Sequence, residues 1–149
     1  MPSLNSARHN LPLLAVAQAQ KEITHNEALT RIDSLLNPVI EGFATEPPLL
    51  TESDAGKCWA VGEHATAEWA GNVGCLANWT GSGWRFQRPV AGMQIWVGPE
   101  NAYRIRTEDN WLPAAVIADP EGGTSVDAEA RAALVALLDH MRRSGFIRE

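Results

Sequence analysis

Glu22 and His25 are the residues of this chain whose types and spacing come nearest to a metal-binding pattern. A Glu-x-x-His pair places two ligands on one helical face, as in di-iron bundles, but such a site needs a second pair and further glutamates. This chain carries only one such pair. We therefore interpret Glu22 and His25 as hydrogen-bonding residues near a helix start, and we expect no metal and no cofactor.

Sequence patterns for catalysis are absent or weak. The chain contains no Gly-x-Ser-x-Gly nucleophile elbow, phosphate-binding loop or dinucleotide fingerprint. Cys58 lies beside Trp59 in a predicted strand, where a buried and unreactive thiol is the expected state. A carboxylate pair for glycoside hydrolysis stays open, because sequence does not give the separation of the loop carboxylates Glu63, Glu68, Glu108 and Asp109. We assign no catalytic residue and expect a non-enzymatic protein.

Polar side chains crowd into the segment that precedes the first helical pattern. Together they offer more hydrogen-bonding capacity than a solvated helix needs, which indicates a specific joint with a partner. The predicted partner-docking residues are Gln18, Gln20, Lys21, Glu22, Asn26 and Glu27.

All six tryptophans lie between residues 57 and 113. A buried core position is the default for Trp59, Trp84 and Trp96, since one aromatic side chain supplies a large buried area. Trp69 and Trp79 flank glycine-containing turns, so we expect them to be partly exposed. Exposed tryptophans beside arginines can stack on sugars or anchor a protein partner. The possible glycan or partner contacts are therefore Trp69, Trp79, Arg85 and Arg104.

A helix predicted over residues 25–37 must position the docking residues. Its apolar residues follow the helical period and predict one face packed against a partner surface; they are Ala28, Leu29, Ile32, Leu35, Leu36, Val39 and Ile40. Thr24 and Glu27 fit a capping box at its start, and Pro38 marks its end. Residues 1–10 are polar and unpatterned, so we expect an arm that orders only when something docks on it. The arm and docking helix together span residues 1–43, and a linker follows over 44–56.

Residues 57–113 form short apolar and aromatic runs separated by turn residues, which is typical of strands. The segment Gly56 to Gly62 resembles Gly92 to Gly98, and each copy is followed by two aromatic runs around a turn. Residues 81–83 and 109–110 have the glycine, aspartate and asparagine chemistry of hairpin turns. We predict a small antiparallel sheet or barrel-like domain with a roughly two-fold internal repeat.

A second linker is predicted over residues 114–125 and a C-terminal helix over 126–145. Acidic Asp127 and Glu129 stand at its start and Arg142 and Arg143 at its end, as the helix dipole favours, and Gly145 ends it. A coiled-coil seam of about two heptads is formed by Ala130, Leu134, Leu137 and Met141. The seam predicts self-association, while packing against its own domain stays equally open. The fold class is therefore α+β, with a tryptophan-rich sheet flanked by two terminal helices.

Charge and composition exclude several classes of function. The chain has 149 residues and a net charge of -6, and no segment is basic. Nucleic-acid binding depends on neutralising phosphates with cations, so we expect no nucleic-acid partner. The chain has no apolar stretch of membrane-spanning length and no signal-peptide pattern. We therefore expect that it is made in the cytoplasm and does not insert into a membrane. Its two cysteines do not form a disulfide framework.

Three groups of motifs carry a family resemblance: LP with QAQKE and HNEAL; GKCWAVG with GWRFQRP and GMQIWV; and VDAEARAALVALLDHMRRSGFI. Over most of its length the chain thus resembles an uncharacterised family of virion proteins from tailed phages, prophages and gene transfer agents. The resemblance implies a structural or attachment component of the virion surface, such as a head spike or tail-fibre base, made in a host bacterium. It implies no catalytic residues to carry over. For a protein in this role we expect capsid, spike or tail proteins as partners and a homo-oligomer. The alternative is a carbohydrate-binding module that recognises host polysaccharide through exposed tryptophans.

Overall fold

The structure is a computed structural model that describes residues 4–15, 21–123 and 127–148. The chain divides into two compact units, Met1–Pro89 and Val90–Glu149, and the division falls inside the segment 57–113. The predicted α+β class is confirmed: two helices accompany antiparallel sheets, and the strands of the described ranges form no closed barrel.

Unit 1 contains one α-helix and five strands within the described ranges. They are α1 (Lys21–Leu35), β1 (Val39–Ile40), β2 (Phe43–Ala44), β3 (Cys58–Val61), β4 (Leu76–Trp79) and β5 (Trp84–Gln87). Strand β2 pairs with β3 in parallel, and β3, β4 and β5 follow one another as an antiparallel meander.

Unit 2 repeats the meander and adds the second helix. Its elements are β6 (Gln94–Val97), β7 (Ala102–Arg106), β8 (Trp111–Pro113), β9 (Ala115–Val116), α2 (Ala128–Arg143) and β10 (Ile147–Arg148). Strands β6, β7 and β8 are antiparallel, and β9 pairs with β10 in parallel. The predicted linker 114–125 therefore contains a strand, which the pattern missed because its partner lies about thirty residues away in the sequence.

The two-fold repeat is confirmed in the hydrogen bonds of the two meanders. The Gly56 N–H donates to the Trp79 carbonyl at 2.8 Å, and the Gly92 N–H donates to the Arg106 carbonyl at 2.8 Å. Both glycines have positive φ, 94° and 86° respectively. The same bond therefore opens both copies, and in each copy it requires a backbone conformation that glycine adopts without strain.

The turns that close the meanders also correspond. The hydroxyl of Thr80 donates to the Gly83 carbonyl at 2.8 Å, and that of Thr107 donates to the Asn110 carbonyl at 2.9 Å. In both turns the threonine N–H donates to the same carbonyl, at 3.0 and 2.8 Å. The copies differ mainly between their first two strands, where the first carries the longer connection.

Trp69 lies at the centre of the unit 1 core, with 0% of its surface exposed. Its ring meets the Trp84 ring edge-on at 5.0 Å and lies 6.4 Å from the Trp59 ring. Val61 and Ala77 complete the buried cluster. The longer connection between β3 and β4 thus supplies the central core residue of this meander. The expectation that Trp69 is partly exposed is wrong.

The helix ends agree only in part with the predicted ones. Thr24 and Glu27 lie inside α1, so the predicted capping box at the helix start is wrong. In α2, Asp127 is the cap, and its carboxylate accepts the Ala130 N–H at 2.9 Å. Gly145 follows that helix and has a φ of 75°. A glycine that ends a helix adopts this left-handed conformation, so its predicted role is confirmed.

Candidate functional site

The N-terminal segment folds as a small hairpin, here called the N-terminal hairpin, over residues 4–13. A bridge pairs Asn5 with Pro12, and the Leu13 N–H donates to the Leu4 carbonyl at 2.7 Å. The Ser6 hydroxyl accepts the Leu11 N–H at 2.9 Å and is buried. The expectation of an arm that orders only on a partner is wrong for these residues, because the hairpin docks on the chain's own helix α1.

Asp33 of α1 is the main contact of the hairpin. Its carboxylate accepts the backbone N–H groups of Arg8 and His9 at 2.9 and 2.8 Å, and lies 3.0 Å from Nδ1 of His9. Burial alone would raise the pKa of this carboxyl group. The hydrogen bonds from the hairpin, including one from the Ser6 hydroxyl, outweigh burial and hold the pKa below its usual value of 3.8. The ionised form therefore favours the docked hairpin.

The Arg8 side chain caps the C-terminal end of α1. Its guanidinium donates to the carbonyls of Ser34 and Asn37 at 3.3 and 2.6 Å. These carbonyls lie at the negative end of the helix dipole, where a cation is favoured. The Arg8 stem passes so close to Gly56 that a Cβ there would lie 2.9 Å from Arg8 Cγ. One residue thus connects the hairpin with the helix end and with the first turn of the β repeat.

Asn26 binds the chain just after the hairpin. Its side-chain carbonyl accepts the Leu14 N–H at 2.8 Å, and its amide donates to the Leu14 carbonyl at 3.0 Å. The Asn26 amide thus makes the two hydrogen bonds with Leu14 that a neighbouring strand would make. Asn26 was predicted to bind a partner, and in the structure it binds main chain of its own protein.

Helix α1 buries its polar side. Glu22, Asp33 and Ser34 are its buried residues, and the Gln87 amide donates to the Ser34 hydroxyl at 2.6 Å. The hairpin offers main-chain N–H groups and carbonyls, so the helix face beneath it needs acceptors and donors instead of apolar side chains. The predicted apolar stripe is therefore divided: Ile40 is buried and Leu35 is half-buried, whereas Ile32 and Leu36 are exposed.

The opposite side of α1 is exposed, polar in its first turns and apolar toward its C-terminal end. At helical spacing it carries Lys21, His25, Ala28, Ile32 and Leu36, here called the outer stripe. Ile32 and Leu36 are 49% and 59% exposed. The Leu36 N–H still donates to the Ile32 carbonyl at 2.9 Å, so the stripe continues to Leu36 with helical geometry.

The predicted docking residues therefore separate into three groups. Gln18 and Gln20 lie outside the described residues. Lys21 and Glu27 are exposed on α1, whereas Glu22 and Asn26 turn toward the hairpin side. Oε2 of Glu22 is buried and has no hydrogen-bond partner among the described residues. The docking set is not one surface, and the sequence pattern did not single out Asp33, although its spacing from Asn26 places both on one helical face.

The four predicted glycan contacts have different surroundings within their own units. Trp69 is in the core, and the Trp79 indole N–H donates to the Thr51 carbonyl at 2.7 Å. Arg85 is exposed in unit 1, whereas Arg104 belongs to unit 2 and pairs with Glu100 there.

The predicted seam on α2 is mostly exposed. Leu134 and Leu137 are 51% and 54% exposed, Ala130 is exposed and Met141 is half-buried. An open apolar recess runs along another side of the helix and is lined by Ala128, Arg131, Ala132, Val135, Ala136 and Asp139. Neither surface brings a nucleophile and a base together.

Two other kinds of site are absent from the described ranges. No group of three or more histidine, cysteine, aspartate or glutamate side chains there is arranged to hold a metal ion. None of the helices that can be described has the length and apolar character needed to cross a membrane.

A family model described as protein of unknown function (DUF2793) matches residues 25–112. The chain belongs to this family. The DUF2793 segment begins within α1 and ends in β8, so it contains both copies of the repeat, whereas the N-terminal hairpin and α2 lie outside it. Neither a curated protein nor a solved structure matches the chain.

Proposed function

We propose that this chain is a non-enzymatic structural protein at the surface of a phage-like particle, such as a head spike or tail-fibre base. It anchors through its N-terminal segment and self-associates. The resemblance of its three motif groups to virion proteins supports this role.

The observation that carries the proposal is the orientation of α1. A helix that packed only within its own unit would bury Ile32 and Leu36, since each buried aliphatic side chain contributes about 1.5–3 kcal/mol. Here the polar side is used for the N-terminal hairpin and the outer stripe is left exposed. Ile32 and Leu36 are neighbours at helical spacing, so a partner could cover both at once. The anchor is therefore assigned to the outer stripe, and the hairpin holds α1 in the orientation that presents it.

The placements of the four predicted glycan residues do not favour the carbohydrate-binding alternative. A sugar-binding platform needs exposed rings side by side, and Trp69 is buried while Trp79 has its indole N–H bound to Thr51. We therefore retain the structural role alone.

The test is the amount of this protein in particles purified from the bacterium that encodes it, after replacement of the native gene by variants. Ile32→Glu introduces a charge in the outer stripe, and we expect at least a tenfold lower content of the protein in particles. Ile23→Glu is the matched control. Ile23 lies on the same helix, is 56% exposed and points away from the stripe, so this variant should load normally.

Circular dichroism and the soluble yield of both variants show whether each one folds. Equal loading of the two variants into particles would contradict the assignment of the outer stripe as the anchor. Absence of the wild-type protein from the particle fraction would overturn the structural role itself.

A further inference from the structure

We propose that the second meander carries a peptide-binding site, here called the tail site, and that residues 145–148 of the same chain, here called the tail, occupy it. The ligand of this site is an extended peptide in which glycine is followed by an aromatic and a branched aliphatic residue. The inference rests on the proposed structural role in one respect, because neighbouring copies on a particle are a second source of the same peptide.

The tail joins the sheet where strand β8 stops. Strand β8 accompanies β7 as far as Arg104, which lies opposite Pro113. At the next position of β7, the Tyr103 N–H donates to the Gly145 carbonyl at 2.9 Å. Proline has no N–H to continue the ladder, and the tail takes the place of β8 from this point. Extended peptides bind the edges of sheets through the same main-chain hydrogen bonds.

The tail site selects glycine at its first position. Gly145 is buried, and a Cβ at this residue would lie 2.8 Å from Cη2 of Trp96 and 3.2 Å from Cα of Ala102. Its φ of 75° is also a conformation that glycine adopts without strain. The wall formed by Trp96 and the backbone conformation therefore exclude a larger residue independently of each other.

The next two residues of the tail make the remaining specific contacts. The Phe146 ring stacks on the Tyr103 ring, with centroids 5.6 Å apart. Ile147 is 5% exposed and pairs in parallel with Ala115 of β9. An aromatic ring followed by a buried aliphatic side chain is thus what the site accepts after glycine.

The tail is separate from the domain that it binds. Trp96, Ala102 and Tyr103 lie within residues 25–112, which match the DUF2793 family, whereas the tail lies outside that range. The site contacts a short sequence, so the same residues of a second copy of the chain make the same contacts. In an isolated chain the tethered tail is favoured by its high effective concentration, and a particle that holds many copies raises the concentration of competing tails.

Peptide binding to full-length chains tests the site. Gly145→Ala should expel the tail and leave Trp96 and Tyr103 in place. A fluorescein-labelled peptide of residues 143–148 should then bind this variant at least tenfold more tightly than the wild type, whose own tail competes. Gly122→Ala is the matched control. Gly122 has a φ of 71° and nothing within 4 Å of its Cβ position, so this variant should bind the peptide as the wild type does.

The peptide itself supplies a control for recognition. The same peptide with the change Gly145→Ala should bind the Gly145→Ala chain at least tenfold more weakly than the peptide with glycine. Equal affinities of the two peptides would overturn the proposed selection of glycine. Equal affinity of the glycine peptide for the wild type and for Gly145→Ala would show that it binds elsewhere, and would overturn the site.

An NMR titration of the labelled wild-type chain gives a readout that does not depend on the folding of a variant. Excess unlabelled peptide should move the Ile147 amide signal toward its random-coil position, while the Tyr103 amide keeps its hydrogen-bonded shift. An Ile147 signal that stays in place would show that the tail is a fixed part of unit 2, and would overturn the proposal. These measurements use the purified chain, so its absence from particles would overturn the structural role alone.

Discussion

Asp33 accepts two hydrogen bonds from His9, one from its backbone N–H at 2.8 Å and one from its imidazole at 3.0 Å. Asp33 is 3% exposed, and the tip of the N-terminal hairpin covers it. The hairpin is thereby tied to α1 by a carboxylate that water barely reaches. Such charge-assisted bonds are stronger than neutral ones, and loss of the acceptor leaves backbone donors unsatisfied.

Asp33→Asn should release the hairpin. The amide keeps the size of the side chain but brings an N–H group against donors that need an acceptor, which costs about 1–3 kcal/mol. Trypsin should then cut after Arg8 about ten times faster than in the wild type, because cleavage requires the hairpin to leave the helix. Mass spectrometry of the fragment 1–8 measures the rate. Asp139→Asn, at an exposed ion pair, is the control and should leave the rate unchanged.

The same contact makes docking of the hairpin sensitive to acid. The pKa of Asp33 is lower in the folded chain than its usual 3.8, so the unfolded form binds the proton more tightly. The stabilisation is therefore complete above pH 3.8 and is lost as the pH falls through the lower, folded value. The amide NMR signals of Arg8 and His9 should move to random-coil positions in this window. In Asp33→Asn these signals should not depend on pH there, and identical titrations of the two proteins would contradict the assignment.

Gly56 and Gly92 are a matched pair for testing the repeat and its contact with the hairpin. Both have positive φ, so alanine at either position should destabilise the fold by about 1–2 kcal/mol. A Cβ at Gly92 meets nothing within 4 Å, whereas at Gly56 it would meet the stem of Arg8. Urea unfolding should therefore show a similar loss in both variants, while only Gly56→Ala should also speed trypsin cleavage after Arg8. Equally fast cleavage in both variants would show that the cleavage rate does not depend on the contact between Arg8 and residue 56.

The thiols should be unreactive in the folded protein. Burial raises the pKa of Cys58 to about 12, and Cys75 is also buried and free. At neutral pH the thiolate that attacks a thiol reagent is therefore scarce and shielded. Titration with a colourless aromatic disulfide should detect no thiol in the native state and two after unfolding, without added reductant. A native count of one or more would show that the core of unit 1 opens readily.

Periodicity in the sequence predicted those features that depend on local chemistry. The repeat was visible because Gly56 and Gly92 open both meanders. The start of α2 was visible because acidic Asp127 precedes a helical run with arginines at its end. These features need only neighbouring residues, so sequence carries them.

The orientation of α1 depends on contacts between distant residues and was not predictable in this way. Spacing shows which residues share a helical face, but Asn26 and Asp33 share one face as regularly as Ile32 and Leu36 share another. The face that is buried depends on what covers it. Here the cover is a hairpin that presents main-chain groups, and its docking could not be read from a polar segment without periodicity.

Trp69 and Trp79 provide the last prediction, because both were expected to be partly exposed and only Trp79 is. Trp69→Ala should destabilise unit 1 by about 3–5 kcal/mol, since it empties the centre of the tryptophan cluster. Trp79→Ala should cost less, since the side chain is only half-buried and its loss removes one hydrogen bond to Thr51. Urea unfolding followed by tryptophan fluorescence measures both. Equal losses of stability in the two variants would contradict the central position of Trp69 in the core of unit 1.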